Sequence, residues 1–166
     1  VNSIWITMIS SFLLTIIGFF SAYSFRNSKF FILLFSIPLA LSSPVIGISL
    51  INLYSSLPLP IYGTYFMLIL GYLVKFLPFS VFIFSAFFSQ ISSSLEDAGK
   101  MFNRSEFEIL SKIFLPLSKP GFLATFIISF IFIFGEIGVT QLLSPPGFQT
   151  LPQRIEVLMH YGDYQA

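Results

Sequence analysis

Long apolar runs separated by short polar connections dominate the chain. Four of these runs reach the roughly 20 residues that an α-helix needs to cross a bilayer, and they cover residues 4–25, 30–54, 64–88 and 121–140. None alternates apolar and polar residues with period two, so they do not predict a transmembrane β-barrel. Helices also satisfy every backbone hydrogen bond inside lipid. The pattern therefore predicts an all-α, polytopic membrane helical bundle, with residues 1–166 as a single transmembrane domain.

The composition supports a lipid bilayer as the main surroundings. Only 9% of the residues are charged and 55% are hydrophobic, whereas about 25% of a soluble domain is charged. The net charge of +1 gives no electrostatic reason to expect nucleic acid. No cysteine and a single histidine make a metal-ligand set unexpected. No glycine-rich phosphate loop with its lysine occurs, so we expect neither a cofactor nor a nucleotide site in this chain.

The lysines and arginines are distributed unevenly between the two sets of connections. The connections after the first and third runs hold six of the eight: Arg26, Lys29, Lys100, Arg104, Lys112 and Lys119. The opposite set holds only Arg154. Because cytoplasmic loops carry the excess of positive charge, the loop 89–119 is predicted to be cytoplasmic, and both chain ends, including the tail 141–166, to lie outside. Since the first residue is Val1 and the chain ends outside, we expect a fragment that lacks a further C-terminal span.

The loop 89–119 carries its own helix signals. Two stretches fit a capping box, one from Ser93 to Glu96 and one from Ser105 to Glu108. Asn103 lies between them and tolerates the left-handed conformation that ends a helix. Each predicted helix has an apolar face, formed by Leu95, Ala98 and Phe102 in the first and by Phe107, Leu110 and Phe114 in the second. An ordinary charged loop packed under the bundle would explain this pattern, and so would a partner-binding element.

The segment from Asp97 to Pro116 resembles the cytoplasmic signature of the importer permeases of ATP-binding-cassette (ABC) transporters. Asp97-Ala98-Gly99 occupies its Glu-Ala-Ala position, Asn103 its glycine position, and Ile113, Leu115 and Pro116 its aliphatic-x-Leu-Pro ending. The three departures keep the negative charge, the small side chain and the access to positive φ. The stretches IYGTYFMLILGYLVKFLPFSVFIFSAFFSQISSSLEDAG and FGEIGVTQLLSPPGFQTLPQRIEVLMHYGDY are similar to the ferric-iron type of these permeases.

The resemblance implies a multi-pass permease subunit in the bacterial inner membrane, without an ATPase site of its own. It implies three protein partners: a separate ATPase subunit that binds ATP, a second permease half that is fused or a second copy, and an outer substrate-binding protein. Coupling to the ATPase subunit would use Glu96, Asp97, Ala98, Gly99, Phe102, Asn103, Phe107, Ile113, Leu115 and Pro116. Ferric iron is the suggested substrate, and related permeases carry thiamine, phosphonate, polyamine or sulfate.

Lys75 and Glu136 are the only charges well inside the predicted spans. Such residues are costly in lipid and normally face protein or water. Straight helices would place Lys75 roughly 16 Å and Glu136 roughly 6–8 Å from the same membrane side. The two residues either form an ion pair that fixes packing or line a translocation path with Pro44 and Pro78. A secondary transporter would use the same pair to exchange protons with its substrate.

Overall fold

The computed structural model describes residues 2–26, 28–56, 61, 63–92, 94–95, 97, 101 and 105–161. In this part of the chain the regular structure is helical, without strands, which confirms the all-α prediction. The helices are α1 (Asn2–Ser24), α2 (Lys29–Ser36), a 3₁₀ turn (Ile37–Ala40), α3 (Ser43–Ser55), α4 (Tyr65–Ser89), α5 (Glu106–Leu117), α6 (Lys119–Phe134), α7 (Gly138–Leu143) and α8 (Leu151–Tyr161). By length and composition, two helices could cross a membrane, or up to four if each bent pair is one span.

Helices α1 and α4 run parallel through the bundle. Near their C-terminal ends the rings of Phe19 and Phe88 lie 5.6 Å apart. Near their N-terminal ends Trp5 and Tyr65 line the same cavity. We call the first end, at Ser24 and Ser89, the loop side and the other end the terminal side. The chain between the two helices must therefore cross the bundle once.

That crossing is a broken helix rather than a continuous one. The stretch predicted as one span over 30–54 consists of α2, the 3₁₀ turn and α3, and the segments Leu33–Ala40 and Ser43–Ser55 meet at 104°. Pro38 and Pro44 explain the break, because proline has no N–H to donate within a helix and is best tolerated in the first turn. Each of them stands at the N-terminal end of its element.

The stretch predicted as a span over 121–140 is also divided. α6 begins on the loop side, where the ring of Phe122 lies 4.8 Å from that of Phe19, and it ends at Phe134. α7 starts at Gly138 and continues toward the terminal side, where Ser3 Oγ accepts a hydrogen bond from Leu151 N at 2.9 Å. Glu136 therefore lies in a break between two helices and not inside a continuous helix, as the straight-helix prediction had it.

Small side chains let α1 approach its neighbours closely. A Cβ atom added at Gly18 would lie 2.4 Å from Ser80 Cβ, so the two helices touch through their backbones there. Small residues at such crossings are typical of membrane helices, where close van der Waals packing drives association. Around this contact the buried core forms two apolar clusters, one on each side of the bundle.

Candidate functional site: a charged cluster between two broken helices and an anchored loop helix

Lys75 of α4 joins the two broken helices. Its Nζ donates hydrogen bonds to Glu136 Oε2 and to Ser43 Oγ. The side chains of Lys75 and Glu136 are only 20% and 10% exposed. Burying either charge alone is costly in a membrane, and pairing reduces that cost. The break before α7 brings Glu136 to Lys75, although straight helices would separate the two residues by about two turns.

Glu136 is also tied to the start of α7. Its Oε1 accepts a hydrogen bond from Val139 N at 2.9 Å, and its backbone carbonyl accepts one from Thr140 Oγ1 at 2.6 Å. Thr140 Oγ1 in turn lies 2.7 Å from the hydroxyl oxygen of Tyr72 on α4. α7 is therefore attached to α4 at two levels, one through the ion pair and one through hydroxyl groups.

Glycines allow α3, α4 and α7 to meet around this cluster. A Cβ atom at Gly138 would lie 2.6 Å from Ser43 Cβ, and one at Gly47 would lie 2.6 Å from Leu142 Cδ1. At Gly71 the corresponding distance to Leu143 Cδ1 is 2.4 Å. Real Cβ atoms essentially never come this close to a neighbour. The position of α7 depends most on Gly138, because its neighbour is a Cβ atom, whereas the nearest neighbour at Gly47 and at Gly71 is the end of a flexible leucine side chain.

A cavity of about 290 Å³ adjoins the cluster. Its lining consists of Pro38, Leu39, Leu41, Lys75, Phe76, Phe79 and Phe132. A water molecule takes about 30 Å³ of liquid volume, so the space suits on the order of ten waters or one small solute. Lys75 supplies the charged group of this lining, and the rest of it is apolar.

The two prolines predicted to line a path have different surroundings. Pro44 is exposed and follows Ser43, whereas Pro78 is buried inside α4, one turn beyond Lys75. Sequence reasoning did not single out Ser43 as a partner of Lys75. The available signal was its position beside Pro44, in the turn-rich stretch between the two halves of the broken span.

The loop helix α5 begins with a capping box, as predicted. Glu108 N donates to Ser105 Oγ at 3.2 Å, and Ser105 N donates to Glu108 Oε2 at 3.3 Å. The first predicted capping box and the predicted turn fall outside the described residues. So do five of the predicted coupling residues, which are Glu96, Ala98, Gly99, Phe102 and Asn103. Asp97 is helical and exposed.

α5 is docked on the bundle through part of its apolar surface. Phe114 is 3% exposed, and its ring lies 5.0 Å from that of Tyr23 and 5.2 Å from that of Phe88. Ile109 is buried beside it, and Ile113 is half-buried against the same cluster. Leu115 and Pro116 are exposed.

Phe107 does not share the buried face with Phe114. It is 75% exposed, whereas the periodicity placed it beside Leu110 and Phe114. The reason is a π-helical segment, Leu110–Phe114, within α5. A π turn spans one residue more than an α turn, so it changes the register between the two phenylalanines. This rotation leaves an aromatic ring on the outer surface of an anchored helix.

Polar contacts fix the start of α5 to the end of α1. Tyr23 Oη donates a hydrogen bond to Glu106 Oε2 at 2.9 Å, and Arg26 Nη2 lies 3.3 Å from the same oxygen. The guanidinium group of Arg26 also lies 4.1 Å from the centroid of the Tyr23 ring. From the sequence Arg26 counted only as a topology signal, and Tyr23 carried no signal that set it apart from the other aromatic residues.

Comparisons with known proteins find similarity to permease components of transport systems. A family model described as "Binding-protein-dependent transport system inner membrane component" matches residues 14–165. A putative ABC transporter permease protein of a Caldicellulosiruptor strain is 34% identical over 169 residues, which cover 99% of this chain and 59% of that protein. A putative 2-aminoethylphosphonate transport system permease protein of Salmonella typhimurium is 27% identical over 141 residues, which cover 85% of this chain and 53% of that protein.

A third similar protein is an Fe(3+)-transport system permease protein of Haemophilus influenzae. It is 31% identical over 121 residues, which cover 73% of this chain and 24% of that protein. The chain thus spans 59%, 53% and 24% of the lengths of these three relatives.

Proposed function

This chain belongs to the family of binding-protein-dependent transport system inner membrane components, and we propose that it forms part of the permease subunit of an ATP-driven importer. In this proposal ATP is bound by a separate subunit, an outer binding protein delivers the cargo, and a second permease half, fused or a second copy, completes the path. The loop side is cytoplasmic, because the positive charge of the connections collects there.

The observation that carries the proposed coupling is the exposed ring of Phe107 on a helix that is otherwise held firmly. α5 is anchored to the bundle by Phe114 and by the contact between Tyr23 and Glu106. A force applied to α5 therefore reaches α1 and α4 directly. Exposed aromatic side chains are frequent anchors at protein interfaces. We assign the outer surface of α5 around Phe107, with the exposed Leu115, to contact with the ATPase subunit.

The cluster of Lys75, Glu136 and Ser43 is the proposed wall of the translocation path. Transporters of other kinds bind polar cargo where discontinuous helices meet inside the membrane. Here two broken helices meet at an ion pair beside a cavity. Pro44 and Pro78 belong to this region as breaks in backbone hydrogen bonding. The competing role, an ion pair that only fixes packing, predicts a different mutational pattern, described in the Discussion.

Neither the family nor the relatives identify the cargo. Proteins named for 2-aminoethylphosphonate and for Fe(3+) match this chain at 27% and 31% identity. Ferric iron remains our proposed cargo, supported by the resemblance of the third and fourth apolar stretches. The other substrates of such permeases named above are its competitors. Family membership favours all of these over secondary transport driven by the Lys75–Glu136 pair.

Co-purification with the ATPase subunit of the same transporter tests the proposal. The Phe107→Ala variant is compared with wild type and with Leu123→Ala, which removes an exposed apolar side chain on α6. We expect Leu123→Ala to retain the ATPase subunit. We expect Phe107→Ala to weaken binding by about 30-fold, the effect of losing an interface hot spot of about 2 kcal/mol. Equal recovery with both variants would contradict the proposed docking surface.

A further inference from the structure

Helices α1 and α6 hide their polar side chains over most of their length. Helix α1 buries all its serines and threonines between Ser3 and Thr15, and the residues it exposes between Ile4 and Phe20 are apolar. Helix α6 buries Thr125 and Ser129. Its exposed residues between 121 and 134 are Leu123, Ile127, Ile131 and Phe132. Both helices thus present a surface suited to lipid.

Helix α3 exposes polar as well as apolar side chains. Ser42, which directly precedes it, and Ser49 and Asn52 within it are all exposed. At 3.6 residues per turn these three positions fall within an arc of about 80°. We call this surface the α3 polar face; it also contains the exposed Val45, and the exposed Ile48 and Leu53 flank it. The buried residues of α3 are instead Ile46, Gly47 and Leu50, which pack toward the core.

Lipid is a poor neighbour for such a surface. Moving an amide from water into hydrocarbon costs about 4–8 kcal/mol when no hydrogen bond replaces those lost. A chain that buries every hydroxyl of the membrane-facing part of α1 and α6 has no evident reason to turn Asn52 toward lipid. The polarity of the α3 polar face therefore indicates an aqueous neighbour.

The α3 polar face is also continuous with the charged cluster. Ser42 precedes Ser43, which binds Lys75, and Leu41 lines the cavity beside them. From that point α3 continues for 13 residues, or about 20 Å, toward the terminal side. Ser49 and Asn52 thus continue the polar positions from the cavity toward the terminal side, with the exposed Val45 among them.

We propose that the α3 polar face lines a water-filled path along which a polar, hydrated solute moves between the terminal side and the Lys75 cluster. This inference rests on the proposed transport function and adds the wall of the path and the polar class of its cargo. A dry contact with a second permease half is the competing arrangement. It would require a protein partner for every one of the three side chains.

Single-cysteine labelling tests the path directly, because this sequence contains no cysteine. Ser49→Cys and Asn52→Cys probe the α3 polar face in the complete transporter, with any cysteine of its other parts replaced by serine. Met8→Cys and Ile131→Cys are the matched controls, since both side chains are exposed on the apolar surfaces of α1 and α6. The probe is a charged, membrane-impermeant methanethiosulfonate reagent, which reacts with the thiolate and so needs water at the thiol.

We expect the reagent to modify positions 49 and 52 at least tenfold faster than positions 8 and 131. Equal rates at all four positions would overturn the inference, as they would indicate lipid at α3. Absence of reaction at 49 and 52 would overturn it too, in favour of a dry protein contact. Co-purification of the ATPase subunit with the same variants separates the two proposals. A variant that the reagent fails to modify but that still binds the ATPase subunit would contradict the path assignment and leave the transport function standing.

Discussion

Replacing Lys75 by methionine should lower the free energy of unfolding of the bundle, because it breaks a largely buried ion pair. Methionine keeps the length and the apolar contacts of the lysine stem but removes the ammonium group. The Glu136 carboxylate, 10% exposed, then retains the Val139 N–H as its hydrogen-bond donor but loses its counter-charge. Removing one partner of a buried ion pair typically costs about 3–5 kcal/mol. For a domain of this size that corresponds to a fall in melting temperature of about 6–20 °C.

Thermal unfolding of the purified permease in detergent measures this effect. Lys112→Met is the matched control, because Lys112 forms an exposed pair with Glu108 at 3.0 Å within one helix, and such pairs contribute at most about 0.5 kcal/mol. The double variant Lys75→Met/Glu136→Gln removes both charges. It should be more stable than Lys75→Met alone by at least about 1 kcal/mol, because the free-energy effects of substitutions at two contacting residues do not add. Additive losses would refute a direct ion pair.

Uptake by the same variants separates packing from a role in the path. If the pair only fixes packing, the double variant recovers transport together with stability. If the pair lines the path, transport stays low although stability returns. We expect the second result, and we expect Lys75→Met to reduce transport more than membrane insertion. Equal loss of transport and insertion would favour the packing role.

Three further changes test the packing around these sites. Gly71→Val places a side chain against Leu143, and this overpacking should lower the free energy of unfolding by about 1–3 kcal/mol. Gly135→Ala is the control: the nearest neighbour of the added Cβ lies 3.6 Å away, so the melting temperature should be nearly unchanged. Phe114→Ala should cost about 3–5 kcal/mol because the ring is buried, while Phe107→Ala should change stability by less than about 0.5 kcal/mol; similar losses would contradict the assigned burial. Tyr23→Phe removes the hydrogen bond to Glu106 and should destabilise the attachment of α5 to α1 by about 0.5–3 kcal/mol. This loss should appear as faster amide hydrogen exchange at the start of α5, and unchanged exchange would contradict that attachment.

The sequence predicted the helices well where they are continuous. The apolar runs at 4–25 and 64–88 correspond to α1 and α4, since length and hydropathy alone decide such spans. The capping box at Ser105 was readable because its two side chains lie only three residues apart. Local signals of this kind do not depend on the rest of the fold.

The contacts that join distant parts of the chain were not readable in this way. The pairing of Lys75 with Glu136 depends on the break at the end of α6, which hydropathy does not report because the apolar run continues through it. The exposure of Phe107 depends on a π segment that shifts the helical register, and no regular period anticipates such a shift. The attachment of Tyr23 to Glu106 joins residues 83 positions apart, which only the folded bundle brings together.

The energy source for uptake tests the central claim most directly. Vesicles that contain the whole permease, its ATPase subunit and its binding protein are offered the solute that co-purifies with that binding protein. They are loaded with ATP or with a non-hydrolysable analogue, with and without a protonophore. The account predicts uptake that requires ATP hydrolysis and continues when the proton gradient is collapsed. Uptake that persists with the analogue and stops with the protonophore would contradict it.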